Sequence, residues 1–241
     1  MDIKVPDFDP GLIIAEAESI ARSSSNMSWE TPVQTVLGTC CKFPDLFPNI
    51  KGSDSRFSYV SKWLKKYFSG YTNRPSKRIS NKISTLPDQI IDVMIGSRLS
   101  FLDEEAVKKI QDSHRLSMSA ENILGLLLEE YLSEKLEKYG WYCAWGETMN
   151  KIDFCNQRGQ LLQVKNRSNS ENSSSSSVRK GTNILKWHRV NANNGVYLWE
   201  NLNQLVQCCE LSEADFSNFV RTTITNNPAA LYVEGSWLQN I

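Results

Sequence analysis

Three residues in the second half of the chain have the types and spacing to act on a charged ligand: Asp153 in KIDFC (151–155), and Gln163 and Lys165 in QLLQVK (160–165). Gln163 and Lys165 are two residues apart, so in a strand their side chains leave one face. Leu162 and Val164 then point the other way, into the core. If the two runs pair, Asp153 meets Gln163 and Lys165 where the strands diverge. Taken singly, each polar residue is also what any exposed strand face carries. Their combination singles them out.

The surrounding sequence has to build that meeting. Asn156-Gln157-Arg158-Gly159 is a hairpin turn signal between the two runs, and WYCAW (141–145) reads as a strand before them. Upstream, Ala120 to Tyr139 has no proline and one glycine. Ile123, Leu124, Leu127, Leu128, Tyr131, Leu132 and Leu136 give it a broad apolar helical face. Ser119 is the expected N-cap and Gly140 the stop. Downstream, Gly195–Trp199 and Ala230–Val233 are expected as strands, with a helix from about 212 to 222 between them. Residues 1 to about 115 read as mostly helical. Helical spacing recurs in Leu12-Ile13-Ile14 with Ala17, Ile20 and Ala21, in Val33, Val36 and Leu37, and across Phe57–Phe68. Leu86-Pro87-Asp88 marks the start of a helix carrying Ile90, Ile91 and Met94. The expected organisation is a mainly helical N-terminal region, 1–116, followed by an α/β unit, 117–241.

Charge is zero overall but unevenly spread. Nine Lys/Arg lie between Lys51 and Lys82 against Asp54 alone, and six between Lys165 and Arg189 against Glu171 alone. Glu121 to Glu137 holds five glutamates and one lysine. Two basic blocks around an acidic helix suit a polyanion whose cleavage needs a local cluster of carboxylates, although basic runs also occur as plain solvated surface. With only His114 and His188, sites built from several imidazoles are excluded. The six cysteines form no C-x-x-C pair and are expected as free thiols, mostly buried. Apolar runs fall short of the ~20 residues that cross a bilayer, and the acidic start MDIKVPDFDPG is unlike a secretory signal. A cytoplasmic location is expected.

The order helix, strand, I-D, then Q-x-K resembles the PD-(D/E)XK nuclease superfamily, with Ile152-Asp153 for P-D and Gln163-Val164-Lys165 for (D/E)-x-K. AENILGLLLEEYL and QVKNRSNSENSSS further resemble the SinI-like type II restriction endonucleases. That resemblance implies a restriction-endonuclease-like core, a central mixed β-sheet flanked by helices. It also implies Mg²⁺-dependent cutting of double-stranded DNA at a short palindrome of the GG-W-CC kind, leaving 5′-phosphates. Asp153, Gln163 and the backbone carbonyl of Val164 would be the metal ligands, and Lys165 would orient the nucleophile. Gln163 departs from the commoner Glu and removes a charge that Glu129, or failing that Glu121, would restore. The implied partners are the DNA duplex, a second copy of the chain as a homodimer, and a cognate DNA methyltransferase. A non-catalytic DNA-binding protein on a nuclease fold, or a structure-specific repair or recombination nuclease, are the alternatives.

By composition the tract after Lys165 is a linker. Its place beside the expected scissile phosphate makes it a DNA-reading segment instead. Arg167, Asn169, Asn172, Ser173, Ser174, Arg179 and Lys180 offer the donors and acceptors that bases and phosphates take. Trp187-His188-Arg189 would extend that contact, with Trp187 equally suited to the core. In the N-terminal block, Lys62 and Lys66 are expected on DNA phosphate and Tyr59, Trp63, Tyr67 and Tyr71 mainly in the core.

Overall fold

The computed structural model describes residues 4–80, 88–168 and 184–233. Three helices open the fold: α1 (Pro10–Ser23), α2 (Thr31–Lys42) and α3 (Arg56–Thr72). Asp9 and Ser55 cap α1 and α3 through their side chains, each accepting from a backbone N–H three residues on. Ile13 and Ala17 of α1 meet Val33, Val36 and Leu37 of α2 and Tyr59, Val60, Trp63 and Tyr67 of α3 in a single core. The helical spacing and the burial of Tyr59, Trp63 and Tyr67 are as the sequence predicts. Tyr71, also expected in the core, is 46% exposed at the end of α3, where its ring meets Trp145 edge-on and the Arg74 guanidinium covers it.

Then come α4 (Gln89–Arg98), capped by Asp88, and α5 (Glu104–Leu136). At ~1.5 Å per residue, the 33 residues of α5 span about 50 Å. The sequence places its start at Ser119; the helix starts at Glu104, with the Asp103 carboxylate accepting from Ala106 N–H at 2.8 Å. Ser119 is a buried interior residue. Nothing between 104 and 118 breaks a helix, so its capping pattern has no end to cap. The helix therefore runs unbroken across 116/117, and one core draws on both segments. After Leu136 the chain tightens into a 3₁₀ turn, and Gly140, at φ 74°, ends it as expected.

The sheet has the order β1 (Trp141–Cys143), β2 (Phe154–Asn156), β3 (Leu161–Arg167), β4 (Ile184–Val190). β1–β2 and β2–β3 are antiparallel, and β3–β4 is parallel. The Asn156–Gly159 turn forms, with the Asn156 side-chain oxygen accepting from the N–H groups of Arg158 and Gln160. β4 is absent from the sequence reading, while the two strands expected later are not strands. Tyr197 makes only an isolated bridge to Val190, and Trp199 opens helix α6 (Trp199–Val206). Pro228 starts a 3₁₀ turn, Pro228–Ala230, which takes the place of a strand there. Helix α7 (Glu213–Asn226), capped by Ser212, lies close to where it is expected.

Trp187 of β4 packs on Trp199, which meets Phe216 and Tyr131. The Trp187 indole N–H donates to the Leu198 carbonyl at 2.7 Å. Arg189 donates to Asn166 and pairs with Glu213. Both residues thus knit β4 to the helices behind it. All six cysteines are free, four of them buried. Among the described residues no helix is long and apolar enough to cross a membrane.

Candidate active site

Asp153, Gln163, Lys165 and Glu129 come together along one cleft of about 590 Å³, with Lys66 and Glu147 on its rim. Asp153 sits one residue before β2 rather than inside it. Its backbone N–H still donates to Leu162 carbonyl at 3.1 Å, and its carbonyl accepts from Ala144 N–H at 2.8 Å, so it is fixed in line with the strand. One carboxylate oxygen accepts the Val164 N–H at 2.7 Å, which holds the acid over β3 between Gln163 and Lys165. A strand residue's N–H and carbonyl leave the same edge, so the Val164 carbonyl shares the Asp153 side.

Gln163 is 4% exposed, and its Oε1 has no hydrogen-bond partner among the described residues. Both faces of β3 are therefore covered at this point, where the sequence gives only Leu162 and Val164 to the core. An unmet buried amide oxygen costs about 1–3 kcal/mol, so something should bind it. Lys165, half-buried, forms no ion pair or hydrogen bond among the described residues.

α5 delivers Glu129. Its carboxyl is pushed up to about 8, first by burial, then by the Asp153 carboxylate, with Lys165 pulling the other way and Glu147 adding to the rise. It accepts no hydrogen bond among the described residues. Glu121, more than two turns earlier, is exposed and outside the cleft lining. Of the two glutamates, Glu129 is the one that lines the cleft.

The connection between β1 and β2 forms the cleft floor. It passes through left-handed conformations at Gly146 (φ 69°), Glu147 (φ 54°) and Lys151 (φ 62°), the last two strained for residues with a Cβ. The N-terminal helices strap it down. Trp63 donates its indole N–H to Thr148 carbonyl at 2.9 Å, and Asn150 donates to the carbonyls of Leu46 (2.7 Å) and Phe47 (2.8 Å). A Cβ on Gly146 would stand 2.1 Å from Lys66 carbonyl, and one on Gly70 2.3 Å from Gly146 nitrogen. Only two glycines let loop and helix approach so closely.

Glu147 is a cleft residue that the sequence reading misses; an acid directly after Gly146, six residues ahead of Asp153, was the available signal. Lys66 Nζ donates to its backbone carbonyl at 3.2 Å and lies 3.7 Å from its carboxylate. Lys62 is outside the cleft lining and donates to the carbonyls of Lys51 and Gly52. Arg167 is exposed at the end of β3. Asn169, Asn172, Ser173, Ser174, Arg179 and Lys180 lie outside the described residues. Among the described residues no three His, Cys, Asp or Glu side chains are grouped as a metal would need, in keeping with an amide at 163.

A mixed four-stranded sheet flanked by helices, with its acid and Q-x-K converging on one cleft, is a restriction-endonuclease-like α/β fold. The SinI restriction endonuclease family matches residues 19–226. The type II restriction enzyme SinI of Salmonella infantis is 34% identical over 221 residues, covering 87% of this chain and 94% of that enzyme. The type II restriction enzyme Eco47I of Escherichia coli is 35% identical over 198 residues, covering 69% of this chain and 85% of that enzyme. The chain belongs to the SinI restriction endonuclease family, and is thus an enzyme of the type II, site-specific deoxyribonuclease class.

Proposed function

We propose that the protein cuts both strands of duplex DNA at a short palindrome of the GG-W-CC kind, with Mg²⁺ as cofactor and 5′-phosphate ends as product. The observation that supports this most is the buried, unpartnered Oε1 of Gln163 beside Asp153 in a cleft that also holds Glu129 and Lys165. An oxygen-rich pocket with one orphaned acceptor and two crowded carboxylates fits a hard divalent cation. Asp153, Gln163 Oε1 and the Val164 carbonyl would hold it, with Glu129 adding the charge that Gln163 lacks.

When bound, such an ion neutralises charge on a phosphate and lowers the pKa of water. The chain's own groups do the rest. The Val164 N–H fixes the Asp153 carboxylate, so the acid needs no reorganisation during reaction. Lys165 brings an unpaired ammonium to the developing charge on the phosphate. Glu129, protonated near neutrality in the bare site, can take up or release a proton within the cleft.

Residues 1–116 would contribute Lys66 and further phosphate contacts, including Lys62, while 117–241 would contribute the chemistry. Arg167, Asn169, Asn172, Ser173, Ser174, Arg179 and Lys180 would read the site. A palindrome cut by one centre per chain calls for a two-fold homodimer. The proposed setting is the cytoplasm, alongside a methyltransferase of matching specificity that protects the host's own sites.

The test is supercoiled plasmid with Mg²⁺, and with chelator as control, followed by sequencing of the ends. Discrete fragments with 5′-phosphates at one palindromic sequence are expected. Random nicking, or a mobility shift without cutting, would overturn the reading.

A further inference from the structure

The hairpin of α4 and the first half of α5 buries too little of itself. α4 has no buried residue, and over its first sixteen residues α5 buries only Val107, Asp112 and Ser119. Ile90, Ile91, Val93, Met94 and Phe101 are 50% to 80% exposed. Ile90, Val93 and Met94 stand at i, i+3 and i+4 and so form one stripe, while Phe101 occupies the turn between the helices. A ten-residue helix is marginal in water unless its apolar face is covered. Elsewhere the exposed large apolar residues are scattered, as with Leu12 on α1 and Phe57 on α3, and any surface tolerates those.

We infer that this hairpin is the surface through which two copies of the chain associate about a two-fold axis. Size supports it: at on the order of 100 Å² per apolar side chain, these five with Ile110 and Met118 offer roughly 700 Å². A standard interface takes about 800 Å² per partner. Charge supports it as well. The start of α5 is acidic at Asp103, Glu104 and Glu105, and the following turn is basic at Lys108 and Lys109, of which Lys109 pairs with Glu105 at 2.7 Å within the helix. Antiparallel packing of two such segments sets the acidic end of one against the basic turn of the other. A net charge of zero imposes no general self-repulsion. Duplex DNA is a poor occupant, because phosphates select cations rather than an apolar stripe. The inference rests on the proposed palindrome cleavage only for why a dimer is useful; the surface argument stands without it.

Sedimentation of the full chain without DNA tests it. Wild type is expected at twice 27.4 kDa in the micromolar range. The double variant Ile90→Glu/Met94→Glu, and separately Phe101→Glu, are expected at 27.4 kDa, with dimer dissociation constants raised on the order of 100-fold. Leu12→Glu/Phe57→Glu, exposed apolar positions elsewhere, is expected to stay a dimer. Because all these side chains face solvent in one copy, circular dichroism should be unchanged in every variant. A wild-type chain that is monomeric at its highest soluble concentration overturns the inference, whether a foreign protein or the chain's own segments cover the hairpin. So does a hairpin variant that remains dimeric, or a control that dissociates alongside them. A dimer that breaks as described but never cut DNA at discrete sites would instead sink the palindrome reading alone.

Discussion

Glu129 and Glu130 are neighbours on α5 and live in opposite worlds. Glu130 is 1% exposed and fully engaged: Arg74 Nε lies 3.1 Å from it, Ser76 N–H donates at 2.9 Å, and Ser76 hydroxyl donates to its other oxygen. Glu129, about 100° around the helix, faces the Asp153 carboxylate without a hydrogen bond, and its carboxyl rises to about 8. Burial by itself therefore does not separate a structural acid from a reactive one. What separates them is whether the fold has supplied partners. The Glu130 region is a finished joint between helix and N-terminal lobe; the Glu129 region would be completed, on the proposed reading, by a cation and a phosphate.

The contrast can be broken at several points. Lys165→Ala removes the cation beside Asp153 and Glu129 and is expected to lower plasmid cleavage by ~10³-fold or more, with gel-shift affinity in chelator nearly unchanged. Retained cutting would take Lys165 out of the mechanism. Glu130→Ala removes the buried acid that ties Arg74 and Ser76 to α5 and should cost about 3–5 kcal/mol in urea unfolding. A cost below ~1 kcal/mol would mean the joint is not structural.

Glu129→Gln should act the other way on stability. In the bare chain its acid is protonated in both folded and unfolded states below about pH 4.5. As pH climbs from about 4.5 to about 8, the unfolded chain releases the proton first and stability is lost. The variant should escape that loss, on the order of 5 kcal/mol at pH 9, while cleavage falls. Unfolding followed in chelator from pH 5 to 9 checks this, and identical pH profiles for variant and wild type would refute it. Gln163→Glu should tighten Mn²⁺ binding about tenfold by calorimetry, since a carboxylate replaces a neutral ligand; unchanged affinity would place residue 163 away from the ion.

Much of the site can be read in the sequence because a hairpin is local. The Asn156–Gly159 turn fixes register, and alternation then brings Asp153, Gln163 and Lys165 together. Glu129 is legible only as one of several helix acids. Choosing it over Glu121 takes the packing of α5 against the sheet, which no spacing encodes. β4 escapes notice because its pairing with β3 is parallel and non-local, and its Lys186, Trp187, His188 and Arg189 mimic a basic contact segment. In the structure Trp187 and Arg189 turn to the helices behind it. Ser119 misleads for the opposite reason: a good local capping pattern is overridden by a helix already under way.

The missing side chains at Gly70 and Gly146 set the gap between α3 and the β1–β2 connection at backbone contact. The first helices thus act as a gauge for Asp153, seven residues downstream of Gly146. Neither half of this enzyme can be swapped for a cousin's without resetting that gauge. Even one methyl group added at position 70 would push the β1–β2 connection away from α3 and shift the cleft floor ahead of Asp153.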